Sequence, residues 1–317
     1  MSSCLAVVWW ESTVRKSNLR NGRRRARSRR RRSPADSCGR SRSIASRKAR
    51  NRRRVTAAWI PRRRGPILPR RRPGHTLKGR CASVVTGSFP VAWPATPGEL
   101  IRLQERLAGA AASAAPWSPA GGTARAAAGV FVCFPRGLHG AGQAGDPGWA
   151  AAALLVEGRL AAVVIARGEA PAAYEPGLLA LREGPLLEAA VRALPERPEV
   201  LLVDATGRDH PRRAGLALHL GALLDLPTIG VTDRPLVAHG PLPADWRGAA
   251  SPLCIDGEVV AHWLRTKPGT RPLAVHAAWR TDPETAVAVI AALPGASRTP
   301  EPLRQARRAA REARART

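Results

Sequence analysis

The hydrophobic pattern of the chain predicts its best-defined strand at Val200–Val203, four apolar residues that run directly into Asp204. Short apolar runs bounded by turn residues are typical of strands buried on both faces. Such a strand delivers one carboxylate at its carboxyl end. A glycine-bearing turn follows, then the sequence His-Pro-Arg-Arg at residues 210–213, and then the apolar run Thr228–Val231, which predicts the next strand.

The rest of the pattern predicts strands and helices in a definite order. A first helix is expected from residue 97, because Thr96 and Glu99 have capping-box spacing with a proline between them. Glu157-Gly158 between two apolar runs predicts a β-hairpin. Further strands are predicted at Gly129–Phe134, Ala151–Val156, Arg159–Ala166 and Pro272–Val275, and further helices at Pro185–Leu194, Arg213–Leu224, Glu284–Leu293 and Leu303–Ala315. Three consecutive strands followed by alternating helices and strands predict an α/β fold, with a mixed central sheet flanked by helices.

Charge divides the chain into two parts. The formal net charge is +29, but residues 1–80 hold 27 Lys and Arg against two acidic residues, which leaves 25 basic and 21 acidic residues in the remainder. The segment Arg23–Arg32 alone carries eight arginines. Because such a sequence has too few apolar residues to build a core, we predict that residues 1–83 are an Arg-rich disordered extension and that residues 84–317 form the folded domain.

Composition also bears on location. No apolar run approaches the roughly 20 residues that a membrane span requires. The five cysteines, at positions 4, 38, 81, 133 and 254, have neither metal-site spacing nor an even number. We therefore predict a cytoplasmic protein with reduced thiols and no membrane partner.

The segment around Asp204 resembles the endonuclease V family, nucleases that cut near deoxyinosine in DNA or inosine in RNA. The residues that carry the resemblance are Asp204, His210-Pro211-Arg212-Arg213, Gly215, His219, Gly221, Asp225 and Pro227–Val231. Two more blocks agree in order and spacing, Tyr174–Leu179 leading into Arg182-Glu183, and Thr299–Pro302 before the last helix. The similarity covers roughly residues 95–305. It implies a ribonuclease H-like fold, which agrees with the predicted order of elements.

The resemblance also bears on residues 1–83, which lie before its start. This favours the interpretation that the start codon was assigned too far upstream. Two alternatives remain open for this segment. It is also suited to binding nucleic acid nonspecifically through phosphate neutralisation, and its Arg/Ser-rich, acid-poor composition is that of an organelle transit segment.

The resemblance implies hydrolysis of a phosphodiester by water activated by Mg²⁺ or Mn²⁺. Glu183 and Asp204 match two of the family's metal-binding carboxylates and are the expected catalytic residues. The third carboxylate, an Asp on the first strand, is replaced by Phe131, so we expect a weakened metal site. Asp233 is a candidate replacement ligand, although an ordinary solvated loop Asp is the interpretation that we favour at this position. Trp279 stands where the family has a histidine tied to catalysis.

Substrate recognition is better retained than the metal ligands. Tyr174, the only tyrosine of the chain, matches the family's wedge residue, which inserts into the base stack. The other expected substrate-binding residues are Gly177, Leu179, His210, Arg212, Arg213, Gly215 and Leu216. The expected partner is DNA or RNA containing inosine, and we expect the protein to be a monomer. Two functions remain open, a metal-dependent endonuclease and a non-catalytic inosine-binding relative.

Overall fold

A computed structural model describes residues 92–137 and 142–317 of the chain. The predicted Arg-rich extension, residues 1–83, lies outside the described residues and stays a prediction. Among the described residues, none of the helices combines the length and apolar character that crossing a membrane requires.

Eight strands form one mixed sheet in the order β3-β2-β1-β4-β5-β8-β7-β6. The strands are β1 (Ala126–Cys133), β2 (Pro147–Val156), β3 (Arg159–Glu169), β4 (Val200–Val203), β5 (Thr228–Thr232), β6 (Ala250–Ile255), β7 (Glu258–Leu264) and β8 (Leu273–Ala277). The central strands β1, β4 and β5 are parallel, while the other neighbours pair in antiparallel fashion. This arrangement confirms the expected ribonuclease H-like α/β fold.

Helices cover both faces of the sheet. They are α1 (Pro97–Ser113), α2 (Leu179–Arg192), α3 (Leu216–Leu224), α4 (Pro283–Ala292) and α5 (Glu301–Ala315). The predicted capping box at the start of α1 is present. Buried residues of α1, α2 and α3 share one core with alternate residues of β1, β2 and β4, whereas α4 and the first turn of α5 pack with the opposite face of β4 and β5. The period-2 alternation of side chains along each strand separates these two cores.

Helix α5 is amphipathic and lies close against β1 and β2. Its buried stripe includes the alanines at positions 306, 309, 310 and 313, and five arginines, at positions 304, 307, 308, 311 and 314, lie outside that stripe. Gly129 of β1 makes the close approach possible, because a Cβ there would lie 2.4 Å from the backbone nitrogen of Leu303. This contact places the basic side chains of α5 near the carboxyl ends of β1 and β4.

The predicted hairpin at Glu157-Gly158 is confirmed. Both residues have positive φ, 49° and 74°, which is the geometry of a two-residue turn between twisted strands. A second hairpin, β6–β7, was not predicted, although Asp256-Gly257 at its turn is a strong hairpin signal with the same positive φ values, 51° and 81°. Pro252 within β6 weakens the strand pattern of that segment.

Two predicted helix starts are wrong. Helix α2 begins at Leu179, six residues before Pro185, because burial of Ala180 and Leu181 against the core outweighs the backbone hydrogen bond that the proline cannot make. Helix α3 begins at Leu216, not at Arg213. Arg213 has a φ of 55°, a left-handed conformation that a right-handed helix excludes.

Candidate active site

The predicted site residues meet around a cavity at the carboxyl ends of β4 and β5. The cavity measures about 190 Å³, which is space for one nucleobase. Predicted residues in its lining are Tyr174, Gly177, Leu179, Asp204, His210 and Leu216. Asp204 follows β4 directly, so the buried strand places its carboxylate at the mouth of this cavity, as the sequence pattern predicted.

A glycine turn forms one wall of the cavity. Gly177 has a φ of 79°, and its carbonyl oxygen accepts hydrogen bonds from Gln104 Nε2 at 3.2 Å, His210 Nε2 at 3.1 Å and Arg212 Nη2 at 3.0 Å. Arg212 Nε also donates to Gln104 Oε1 at 2.6 Å. Three donors on one carbonyl hold this wall in a fixed position, so His210 and Arg212 act on the pocket through the turn.

His210 is neutral in this arrangement. Burial lowers its pKa to about 4, more than the hydrogen bond to Gly177 raises it. Its Nδ1 accepts from the Arg212 backbone N–H at 3.2 Å, which leaves the proton on Nε2 for Gly177. His210 therefore positions the turn and contributes no positive charge to the site at neutral pH.

Tyr174 lies at the open side of the cavity. Its side chain keeps 44% of its surface exposed, and its backbone N–H donates to the carbonyl of Gly142 at 3.1 Å. An exposed ring on an anchored backbone beside a pocket is suited to contact with a ligand.

Asp204 is held by an arginine from the other end of the chain. Arg307 of α5 donates from Nη2 to Asp204 Oδ1 at 2.7 Å and from Nε to Oδ2 at 3.0 Å. Both side chains are largely buried, with 16% and 21% of their surface exposed. A bidentate pair between partly buried groups is among the stronger ionic contacts in proteins. Both carboxylate oxygens of Asp204 are therefore engaged by a side-chain cation.

The ring of Phe131 contacts Arg307 and a second arginine of α5, Arg311. The guanidinium carbon of Arg307 is 5.8 Å from the centre of the Phe131 ring, and that of Arg311 is 5.4 Å from it. These distances are in the range of cation–π contacts. The side chain that replaces the expected carboxylate ligand thus supports a cluster of guanidinium groups.

Glu183, the second expected carboxylate, holds a proton at neutral pH. Burial in helix α2 is the main cause that raises its pKa to about 8, and the negative charge of Asp204 adds to the effect. Arg182 opposes the shift but is itself engaged by Asp146 at 2.7 Å. The site therefore combines a carboxylate that is paired with an arginine and a carboxyl group whose pKa is raised by burial.

We expect Glu183→Gln to stabilise the protein more at high pH than at low pH. A carboxyl group with a raised folded-state pKa contributes stability that is lost as the pH rises from its ordinary value of 4.5 through about 8. Glutamine cannot ionise, so the melting temperature of the variant should exceed that of the wild type by several degrees near pH 9 and by much less near pH 5. Thermal unfolding in EDTA measures this, and the exposed Glu196→Gln serves as control. A difference between variant and wild type that does not change with pH would contradict the assignment.

Two other predicted residues, Asp233 and Arg213, do not line the cavity. Asp233 forms an ion pair with Arg298 at 2.6 Å. Arg213 pairs with Asp256 and with Glu258, each at 3.1 Å, and so is tied to the β6–β7 turn.

Gly215 stands behind the cavity, where a Cβ would lie 2.4 Å from the carbonyl oxygen of Thr206. Trp279, in place of the expected histidine, is buried in the core against Gly221 of α3. Neither residue brings a functional group to the cavity.

The sequence did not predict a series of contacting polar side chains behind the pocket, formed by Asp209, His276 and Thr232. Asp209 is fully buried and accepts hydrogen bonds from the backbone N–H groups of three consecutive residues, 236 to 238. Its Oδ2 lies 3.5 Å from Nδ1 of buried His276, whose Nε2 is 2.7 Å from Thr232 Oγ1 at the cavity. No motif links these residues in the sequence, because they come from separate strands and loops.

The endonuclease V profile matches residues 129–308 of the chain. An endonuclease V of Roseiflexus castenholzii is 39% identical over 217 residues, which cover 68% of this chain and 91% of that protein. This chain belongs to the endonuclease V family.

Solved endonuclease V structures have the same fold. The crystal structure of endonuclease V from Streptomyces avermitilis is 38% identical, with a TM-score of 0.62 over 70% of this chain and 94% of that one. Endonuclease V of Ciona intestinalis, solved with a 24mer DNA containing an inosine followed by a ribo-adenosine, is 20% identical with a TM-score of 0.56, over 69% of this chain and 98% of that one.

The carboxylates of this endonuclease V homologue do not fit a divalent cation as they are arranged. Among residues 92–137 and 142–317, no three His, Cys, Asp or Glu side chains come together as a metal-binding group. Both oxygens of Asp204 are occupied by Arg307. Magnesium prefers several charged oxygen ligands. The weakening of the metal site that is expected from Phe131 stays a prediction.

Proposed function

We propose that the protein is an endonuclease that hydrolyses a phosphodiester bond near deoxyinosine or inosine in nucleic acid. The observation that carries this proposal is the cavity that Tyr174, the Gly177 turn and Asp204 share. It combines an exposed aromatic ring, a rigid backbone wall and a carboxylate within the reach of one nucleotide. The inosine-containing DNA in the Ciona intestinalis complex supports the same class of substrate.

Recognition in this proposal rests on the backbone and on stacking. Enzymes that act at a base within a strand move that base out of the stack into a pocket. Tyr174 would stack against the neighbouring base and hold the inosine in the cavity, whose wall is fixed at Gly177 by three hydrogen bonds. Leu179 and Leu216 supply the apolar part of the lining. This leaves backbone groups to bind the polar edge of the hypoxanthine.

We assign the chemistry to Asp204 and Glu183. A pair of carboxyl groups in which one is ionised and the other protonated at neutral pH is suited to general acid and base catalysis. Burial raises the pKa of Glu183 to about 8. We assign no step to a metal, because the side chains as arranged do not fit one. Binding to DNA or RNA, the monomeric state and a cytoplasmic location remain predictions.

A second candidate function is recognition of inosine without cleavage, and one observation of the site bears on it. The ion pair between Asp204 and Arg307 occupies both oxygens of the carboxylate that catalysis requires. The wall formed by the Gly177 turn is held by other residues and does not depend on that carboxylate. Binding would therefore survive conditions in which hydrolysis does not occur.

The test is cleavage of an end-labelled strand with one inosine, as DNA and as RNA, by the full chain in Mg²⁺ or Mn²⁺. We expect a defined product from the wild type. Asp204→Asn should lower the rate by roughly 100-fold or more, because it removes the ionised carboxylate at nearly constant size.

Retained binding in Asp204→Asn serves as the control for folding. Unchanged cleavage in this variant would show that the hydrolysis occurs elsewhere. Binding without any cleavage by the wild type would support the second candidate.

A further inference from the structure

We propose that the guanidinium of Arg307 is the cation that holds the nucleic-acid phosphate beside Asp204, so that binding at this site needs no metal. This inference rests on the proposed function for its ligand, a nucleic-acid backbone. It concerns a residue that lies 103 positions after Asp204 in the sequence.

The position of the Arg307 charge favours this role. Asp204 ends β4, Phe131 lies on neighbouring β1, and Arg307 reaches both from α5. These are the two strand positions at which the family resemblance expects carboxylates around a cation. In this chain the first position is Phe131, whose ring contacts the guanidinium groups of Arg307 and Arg311. The second position is Asp204, whose carboxylate is paired with Arg307. The carboxylate of Asp204 is therefore already paired with a cation, and that cation is the guanidinium of Arg307.

Arg307 also has donors left over. A guanidinium carries five N–H donors. Arg307 uses three of them, two on Asp204 and one from Nη1 to Thr299 Oγ1 at 3.3 Å. Two N–H groups remain for another acceptor. Planar, bidentate donors of this kind match the oxygens of a phosphate.

The surface that surrounds Arg307 is basic as well. A groove of about 460 Å³ along α5 is lined by Arg304, Arg307, Arg308 and Arg311. Arg304 is paired with Glu301, and Arg308 with Glu312. Among the ion pairs of the described residues, none involves Arg311, which lies over the Phe131 ring beside Arg307. The groove therefore carries an excess of positive charge that leads to Asp204, as a track for a phosphate backbone requires.

The test measures binding of the full chain to a short inosine-containing strand, at raised salt and with excess unlabelled guanosine-containing competitor. These conditions suppress nonspecific binding by the Arg-rich residues 1–83. We expect the wild-type dissociation constant in EDTA and in Mg²⁺ to agree within about twofold at equal ionic strength. Arg307→Gln should weaken binding in EDTA by roughly tenfold or more, because a charge-assisted contact is lost.

Two variants serve as controls. Arg316→Gln makes the same charge change on an exposed side chain at the end of α5, and it should alter binding by no more than about twofold. Arg307→Lys keeps the charge without the planar pair of donors and should give an intermediate loss. If thermal unfolding shows that Arg307→Gln does not fold, the same binding titration is made with Arg307→Lys and Arg311→Gln instead.

Wild-type binding that is lost in EDTA would overturn the proposal. Arg307 variants that bind as Arg316→Gln does would also overturn it, while leaving the proposed function intact. If the wild type binds inosine-containing and guanosine-containing strands equally, the proposed function itself fails. The two failures are thus distinguishable in one set of titrations.

Discussion

Replacing Tyr174 with alanine is expected to lower the affinity for an inosine-containing strand by roughly 5- to 150-fold, since stacking of a base on an aromatic side chain is worth about 1–3 kcal/mol. The ring is 44% exposed beside the cavity and contributes little to the core, so the loss should be in binding and not in stability. A fluorescence titration in EDTA measures the affinity, and thermal unfolding measures the stability.

Tyr174→Phe is the matched control, because it retains the ring and removes only the hydroxyl group. It should bind inosine within about threefold of the wild type if stacking is the main contribution. An alanine variant that binds as tightly as the phenylalanine variant would remove Tyr174 from the recognition site.

The double variant Phe131→Asp with Arg307→Gln is expected to gain metal binding and metal-dependent cleavage. Aspartate at position 131 supplies the missing oxygen ligand, and the loss of Arg307 frees both oxygens of Asp204. Mn²⁺ binding followed by electron paramagnetic resonance should appear in the double variant. At saturating substrate, its Mg²⁺-dependent cleavage should exceed that of the wild type by roughly tenfold or more.

The single variant Phe131→Asp is the informative control. Its new carboxylate would lie beneath Arg307 and Arg311 and pair with them, so it should gain much less metal binding than the double variant. If the single variant binds Mn²⁺ as well as the double variant does, Arg307 does not compete with a metal at this site.

The sequence predicted the central fold because its signals there are local. Four apolar residues before Asp204, the Glu157-Gly158 turn and the capping box at Thr96 each specify a structure within a few residues. Helix α2 was misplaced because Pro185 suggests a helix start, while burial of Ala180 and Leu181 decides the outcome. Tertiary packing can override such a local preference.

The cavity was largely predictable and the state of its charges was not. Tyr174, Gly177 and Asp204 were expected to act together and do line one cavity. The contact between Asp204 and Arg307 depends on how α5 docks over Gly129, which no local pattern specifies. The raised pKa of Glu183 likewise depends on its burial and on the nearby charge of Asp204. Such effects arise only once distant segments have packed.

Action at inosine by this endonuclease V homologue is best tested in one competition reaction. Two strands that differ only by inosine or guanosine at one position, with different labels, are mixed in equal amounts with the full chain in Mg²⁺ or Mn²⁺. Any nonspecific binding through the Arg-rich residues 1–83 would affect both strands equally, so the ratio of products reports the pocket alone. We predict a ratio of roughly tenfold or more in favour of inosine. Equal cleavage of the two strands, or cleavage of neither, would show that the protein is not an inosine-directed endonuclease.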